Sequence, residues 1–269
     1  MNWIGLHIPC SPEMRDILLA ELSLLPFSTF EETDEGLSAY CETPNWNEAV
    51  AILERYDISD YNHAEVERVN WNEEWEKNYD PIHVREELTV RAPFHVASEA
   101  PQEIIILPKM SFGTGHHATT YLVLDYQLDL DHKEKKVLDV GCGTGVLAIM
   151  AHKQGASEVQ AIDIGDWCVE NSIENFALND CSEIQVEQKE VFEVKDSDFD
   201  IVLANITKGV HAELMDEYLR KMNLEGTLVL SGFFQEDIDE VRQMAERSGF
   251  KYVESSTYNG WARLVCRKL

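Results

Sequence analysis

Apolar and polar positions along the first part of the chain change period several times. "WIGLHI" (residues 3–8) has the short apolar character of a strand, and "SPEMRDILLAELSLL" (11–25) shifts to helical spacing. Ser11 ahead of Pro12, with Glu13 and Asp16 in the first turn, marks a helix start, because a proline at the first helical position loses no bond and acids favour the positive end of the helix. "STFEETDEGLSAYCE" (28–42) reads as a hairpin and "NWNEAVAILERY" (45–56) as a second amphipathic helix. Together they predict a small open α/β sandwich over residues 1–62. Residues 63–95 form a charged, tryptophan-bearing stretch in which Trp71 and Trp75, four apart, share one helical face. It predicts a linker helix followed by a hairpin.

From residue 96 a second domain is expected, and beyond residue 134 its pattern becomes rhythmic. "KKVLDVGCG", "EVQAIDI", "EIQVEQ", "DFDIVLAN" and "GTLVLSGF" have the nearly continuous apolar character of strands buried on both faces. Between and after them run the helical patterns "GVLAIMAHKQGA", "DWCVENSIENFALND", "VHAELMDEYLRKM" and "QEDIDEVRQMAERSG". Such alternation predicts a parallel sheet covered by helices on both faces. The end, "FKYVESSTYNGWARLVCRK", predicts two strands joined at "NG" into an antiparallel edge.

Charge and cysteine usage narrow the function classes. The net charge of −28 repels a nucleic-acid backbone and attracts a basic partner. The excess is densest early: residues 1–99 hold 6 basic and 21 acidic side chains, against 16 and 29 over residues 100–269. Acidity of this kind also serves solubility alone. Six scattered cysteines without a CxxC pair argue against a zinc knuckle or a disulfide framework. No apolar run approaches the ~18 residues of a membrane span, and the start lacks a secretion signal, so the expected compartment is the cytoplasm.

The chemistry concentrates in "LDVGCGTG", which places Gly141, Gly143 and Gly145 at the carboxyl end of the first strand of the rhythmic region. That is where open α/β sheets bind ligands, with the amides and positive end of the next helix facing the crevice. Asp163, which closes the "AID" of the second strand, lies 20 residues beyond Gly143, the position of a carboxylate that accepts hydrogen bonds from a ribose. The spacing is GxGxG rather than the GxGxxG of dinucleotide sites, and Asp139 beside it would repel a pyrophosphate while attracting a cation. S-adenosylmethionine, with a ribose, a sulfonium and no phosphate, fits better than a nicotinamide cofactor. Asn205, ending "DFDIVLAN", falls on the same sheet edge, where its amide can accept hydrogen bonds from an incoming amine and aim the lone pair at a methyl group. An asparagine that merely ends its strand is the plainer alternative.

"MSFGTGHHATT", "VLDVGCGTGVLAI", "AIDI", "DIVLANI" and "LVLSGF" occur here in an order and spacing that resemble the PrmA family, the bacterial ribosomal protein L11 methyltransferases. The likeness is strong over residues 104–232, extends to the tryptophan-rich "WNEEWEKNYDPIHV", and is one of pattern and length over residues 1–60. It implies a ferredoxin-like α+β N-terminal domain that recognises the ribosomal protein. It also implies a Rossmann-like class I domain, a mostly parallel seven-stranded sheet with an antiparallel edge hairpin, that binds S-adenosylmethionine and trimethylates the N-terminal α-amine and lysine ε-amines. Carried over residue by residue, it gives Thr120, Gly141, Asp163 and Asn205 as cofactor contacts. A monomer that binds neither nucleic acid nor membrane is expected. The chain departs from the family's "GTGTHPTT" with His116 and Ala118, and from its "DIDP" with Gly165 and Asp166.

The loop at 110–120 then reads as the segment that closes the methionine end of the cofactor pocket, with a helix starting at or near Thr119. A metal seat at His116 and His117 is the lesser reading, because adjacent histidines point apart and no HExxH or cysteine partner is in view. A phosphate cradle would need a GK[ST] ending that is absent. Three alternatives stay open: a class I methyltransferase acting on another protein or a small molecule, a cofactor-binding protein without turnover, and a nicotinamide dehydrogenase.

Overall fold

A computed structural model describes residues 3–27, 29–33, 35–41, 46–66 and 79–269. The chain divides into two units, Met1–Asn78 and Tyr79–Leu269. The Trp71 and Trp75 helix expectation lies outside the described residues.

In the first unit β1 (Trp3–Pro9) leads into α1 (Pro12–Leu22), started where the sequence predicts it, with Ser11 Oγ accepting the Met14 N–H at 3.4 Å. Then follow β2 (Thr29–Thr33), β3 (Gly36–Cys41), α2 (Trp46–Arg55) and β4 (Asn62–Val66). The sheet order is β2-β3-β1-β4 with every pairing antiparallel, the ferredoxin-like arrangement. Leu18 and Leu22 of α1 and Ala49, Ile52 and Leu53 of α2 bury against Leu6, Ile8, Leu37 and Ala39. Strand β4, "NHAEV", offers only Ala64 and Val66 as an apolar alternation and pairs with β1, too short a pattern for periodicity to announce it.

The second unit begins with a small sheet of β5 (Ile82–Val84), β6 (Leu88–Arg91) and β7 (Gln102–Ile105), an antiparallel hairpin to which β7 adds in parallel. After α3 (Ala118–Asp129) come β8 (Lys136–Val140), α4 (Val146–Lys153), β9 (Glu158–Asp163), α5 (Asp166–Leu178), β10 (Gln185–Gln188) and β11 (Phe199–Asn205). The chain ends with α6 (Lys208–Lys221), β12 (Met222–Phe234), α7 (Ile238–Arg247), β13 (Phe250–Tyr258) and β14 (Trp261–Lys268). The seven-stranded order is β10-β9-β8-β11-β12-β14-β13, parallel through β12 and antiparallel at β14 and β13. Asn259 and Gly260, at φ 48° and 80°, make the two-residue turn that joins the last pair.

Pleating divides the core between the two faces. Val137, Ile201, Leu203, Val229 and Val265 pack on one side, and Leu138, Val140, Val202, Ala204, Leu228, Leu230 and Leu264 on the other. The order reverses between β8 and β11, whose carboxyl ends therefore flank a crevice free of any connecting loop between neighbours.

His211 of α6 is buried beneath that edge, its Nε2–H donating to Ser231 O at 2.8 Å and its Nδ1 3.4 Å from the Tyr218 hydroxyl. Burial pushes its pKa from 6.5 down to about 4. Between those values the unfolded chain binds a proton that the folded chain refuses, so stability is full above pH 6.5 and falls as the pH drops toward 4. The unfolding free energy should fall by about 3 kcal/mol more in the wild type than in His211→Gln between pH 7 and 4. Denaturant melts at both pH values check this, and parallel losses in the two proteins would refute it.

Candidate active site at the carboxyl edge of the sheet

The glycine loop after β8 is fixed from three sides. From below, the N–H groups of Gly141 and Cys142 donate to Ile162 O at 2.9 and 3.0 Å. From the side, Asp163 at the end of β9 accepts the Gly143 N–H on Oδ2 at 3.0 Å and the Gly165 N–H on Oδ1 at 2.9 Å. One carboxylate thus ties the loop to the start of α5, and each oxygen keeps a lone pair for a further donor.

From above, the 110–117 segment is strapped over the loop. Thr144 donates its N–H to Phe112 O at 2.9 Å and its hydroxyl to Gly113 O at 2.7 Å. Gly143 sits at φ 57°, and a Cβ there would lie 2.2 Å from Phe112 O. The close approach its missing side chain allows is therefore to the chain's own strap. Gly141, at φ 69°, is similarly close to Ile206, with a Cβ placed 2.4 Å from Cγ2.

Helix α5 secures the strap's other end with side chains that the periodicity argument does not identify. Asn175 accepts the Leu107 N–H at 2.8 Å and donates to Thr144 O at 2.8 Å, so one amide joins the segment before the strap to the glycine loop. Asn179 accepts the Ile105 N–H at 2.9 Å and donates to Ile105 O at 2.6 Å; Asn171 donates to Leu107 O at 3.3 Å, and Ser172 to Gly143 O at 3.0 Å. The available signal is three asparagines at i, i+4 and i+8 in "ENSIENFALND", a poor helix former repeated along one face.

The strap ends where α3 begins. His117 is the N-cap, its Nδ1 accepting the Thr119 N–H at 3.3 Å, and Ala118 takes the first helical position. Burial lowers the His117 pKa, so the ring is neutral at pH 7. His116 turns elsewhere, donating from Nε2 to Asp80 O at 3.0 Å and packing its ring 4.4 Å from that of Tyr79. The two adjacent imidazoles therefore face different neighbours.

One turn into α3, the fully buried Thr120 meets Asn205 at the end of β11, whose Nδ2 donates to Thr120 Oγ1 at 3.3 Å. The other amide atom, Asn205 Oδ1, is buried without a partner among the described residues. A buried acceptor with nothing to accept costs on the order of 1–3 kcal/mol, and a ligand that donates to it removes the cost. Asp139 is a second such case: fully buried, it accepts the Ala148 N–H on Oδ2 at 3.1 Å while Oδ1 has no partner among the described residues. Burial, then the charge of Asp163, push its pKa up to about 7. Gly165, a departure from the family pattern, caps α5 beneath the Trp167 indole, which a Cβ would approach to 2.9 Å.

Thr120, Gly141, Gly143, Asp163 and Asn205 all lie at this one edge. A glycine-loop backbone, a half-buried carboxylate with spare lone pairs and a buried amide acceptor can together hold a nucleoside with a cationic tail and orient an amine beside it.

The family model for ribosomal protein L11 methyltransferase (PrmA) matches residues 20–269. The chain is 43% identical over 258 residues to the ribosomal protein L11 methyltransferase of Porphyromonas gingivalis, covering 93% of this chain and 89% of that protein. It is 39% identical over 263 residues to that of Bacteroides fragilis, covering 94% of each. The crystal structure of a ribosomal protein L11 methylase from Lactobacillus delbrueckii subsp. bulgaricus superposes with a TM-score of 0.65 at 28% identity, covering 71% of this chain and all of that one. The protein belongs to the ribosomal protein L11 methyltransferase family.

Proposed function

We propose that the protein transfers methyl groups from S-adenosyl-L-methionine to amines of ribosomal protein L11, namely the N-terminal α-amine and lysine ε-amines, up to the trimethyl state. The observation that carries the chemistry is the buried Oδ1 of Asn205, unpartnered among the described residues and beside Thr120 at the end of β11. The substrate follows from relatives of that name matched over more than nine-tenths of the chain.

The residues present fit the cofactor. Asp163 has lone pairs left for the ribose hydroxyls, the glycine-loop backbone around Gly141 and Gly143 would line the methionine side, and the Thr120 hydroxyl keeps its proton to donate. Asp139 is fully buried, with its Oδ2 taken by the Ala148 N–H of α4. When bound, S-adenosylmethionine supplies a methyl group on a cationic sulfur, the nitrogen lone pair forming the new N–C bond while the C–S electron pair stays with sulfur.

The protein's task is alignment and desolvation of a neutral nitrogen. A lysine amine with an ordinary pKa of about 10.4 must lose its proton before it attacks, and removal from water favours that loss. Asn205 Oδ1 accepts an N–H of the neutral amine, so the lone pair points away from the amide. His117, its Nδ1 engaged by the Thr119 N–H, is placed to wall the site rather than to take the proton, which leaves to water.

The acidic N-terminal unit is assigned to capture of the basic ribosomal protein, by a monomer in the cytoplasm that does not bind nucleic acid. Among the described residues no helix is long and apolar enough to cross a membrane.

Incubation of ribosomal protein L11 with the enzyme and S-adenosylmethionine should add mass in single-methyl steps toward multiples of three. Asp163→Ala should abolish those gains and weaken cofactor binding by about 10- to 100-fold in calorimetry, the loss expected for hydrogen bonds to a charged group. Cofactor binding without any mass gain would move the substrate to another protein or a small molecule. Asn205→Ala should cut turnover by about 100-fold while the cofactor Kd changes by less than about tenfold, and normal turnover would remove Asn205 from the mechanism. The Kd for ribosomal protein L11 should rise several-fold between about 50 and 300 mM salt. A salt-independent Kd would contradict electrostatic capture.

A further inference from the structure

Four rings form a row that starts in the strap and ends where β12 pairs with β14. Phe112 meets His117 at 5.2 Å between centroids, His117 meets Trp261 at 4.5 Å, and Trp261 meets Phe234 at 4.2 Å. Phe112 and Phe234 are 51% and 48% exposed, so both present ring surface to solvent.

The row is anchored to the Thr120–Asn205 pair on both sides. His117 caps α3 one turn before Thr120. Asn205 pairs in register with Ser231 on β12, which continues to Phe234, and Phe234 pairs with Trp261 on β14. No ring brings a formal charge at pH 7, since burial keeps His117 neutral.

Successive methylation changes what the site must hold. A neutral primary amine offers two N–H groups to Asn205 Oδ1, and a monomethylated amine offers one. A neutral dimethylated amine offers none. The amide acceptor can therefore retain the first two substrates by hydrogen bonding, but the third needs a surface for its N-methyl groups. Between transfers the same nitrogen is a methylated cation, whose charge aromatic faces attract at little desolvation cost.

The geometry points to the Phe112–His117–Trp261–Phe234 row as the binding surface for the di- and trimethylated nitrogen, and so as the element that sets how many methyl groups are added. The inference rests on the reading of the protein as an amine methyltransferase. Trp261 and Phe234 are specificity-determining residues in this account, acting chiefly on the last transfer.

The test compares wild type, Trp261→Leu, Phe234→Leu and Trp261→Phe in time courses of intact ribosomal protein L11 mass. The leucine variants should slow the third transfer about tenfold more than the first, so that dimethylated product accumulates, and Trp261→Phe should recover most of the third step. Independently of turnover, a trimethyllysine peptide should bind the leucine variants about 3- to 10-fold more weakly than wild type, with a smaller change for the unmethylated peptide. Equal slowing of all three transfers, or an unchanged product distribution with unchanged peptide affinity, would overturn the proposal. If wild type methylates no amine, the amine-methyltransferase reading fails, and the peptide comparison still decides whether the row prefers methylated nitrogen.

Discussion

The carboxylate of Asp163 links two turns of backbone at the ligand-facing edge of the sheet. One oxygen takes the Gly143 N–H and the other the Gly165 N–H, so a single side chain at the end of β9 joins the loop after β8 to the start of α5, and Ser172 and Asn175 of that helix reinforce the link. Parallel strands make this possible, because β8 and β9 deliver their carboxyl ends to the same edge with Val140 opposite Ile162. Everything above the edge inherits that placement. Where α5 starts fixes where its asparagines stand, and they fix the strap.

The second constraint is the lattice of buried amides on α5. Segment 105–107 has few backbone partners beyond β7's pairing with β6, and asparagine side chains supply what another strand would have supplied. Buried peptide groups are left unpaired only at a cost, so this substitution of side chain for strand lets the chain leave the sheet and cross over the glycine loop. Thr144 completes the circuit by holding Phe112 and Gly113 from below while Asn175 holds Thr144 itself. The strap is thereby held by side-chain and backbone bonds where a strand would be held by its ladder.

How much of this could be read from the chain depends on the range of the interaction. Strands β8, β9, β11 and β12 are legible because burial on both faces demands continuous apolar runs, and Gly141, Gly143 and Asp163 because strand-end chemistry repeats at short spacing. The small edge strands β4 and β7 are not, since "NHAEV" and "QEII" are too short and polar to show a period. Thr120 and Asn205 entered as separate candidates, and their hydrogen bond spans 85 residues. Asn171, Asn175 and Asn179 escaped because asparagine on a helix is equally consistent with solvent exposure; only their common spacing hints at a shared buried face. Phe112 and Trp261 both reach His117, one through the strap and one through the last hairpin, and both segments had to be placed before those contacts could be seen.

An enzyme that adds more than one methyl to the same nitrogen meets a substrate whose polarity changes during its own reaction. Hydrogen-bond acceptors suit the early amines and are useless to the tertiary one, whereas a purely apolar site would hold the last amine and fail to orient the first. Here the two kinds of surface stand side by side, the Asn205 acceptor within the sheet edge and the rings along its rim, joined through the one helical turn from His117 to Thr120. The neutrality of His117 is part of the same logic. A protonated imidazole in the row would repel the methylated cation and would be expensive where the ring is packed between Phe112 and Trp261, so burial favours the charge state that recognition requires.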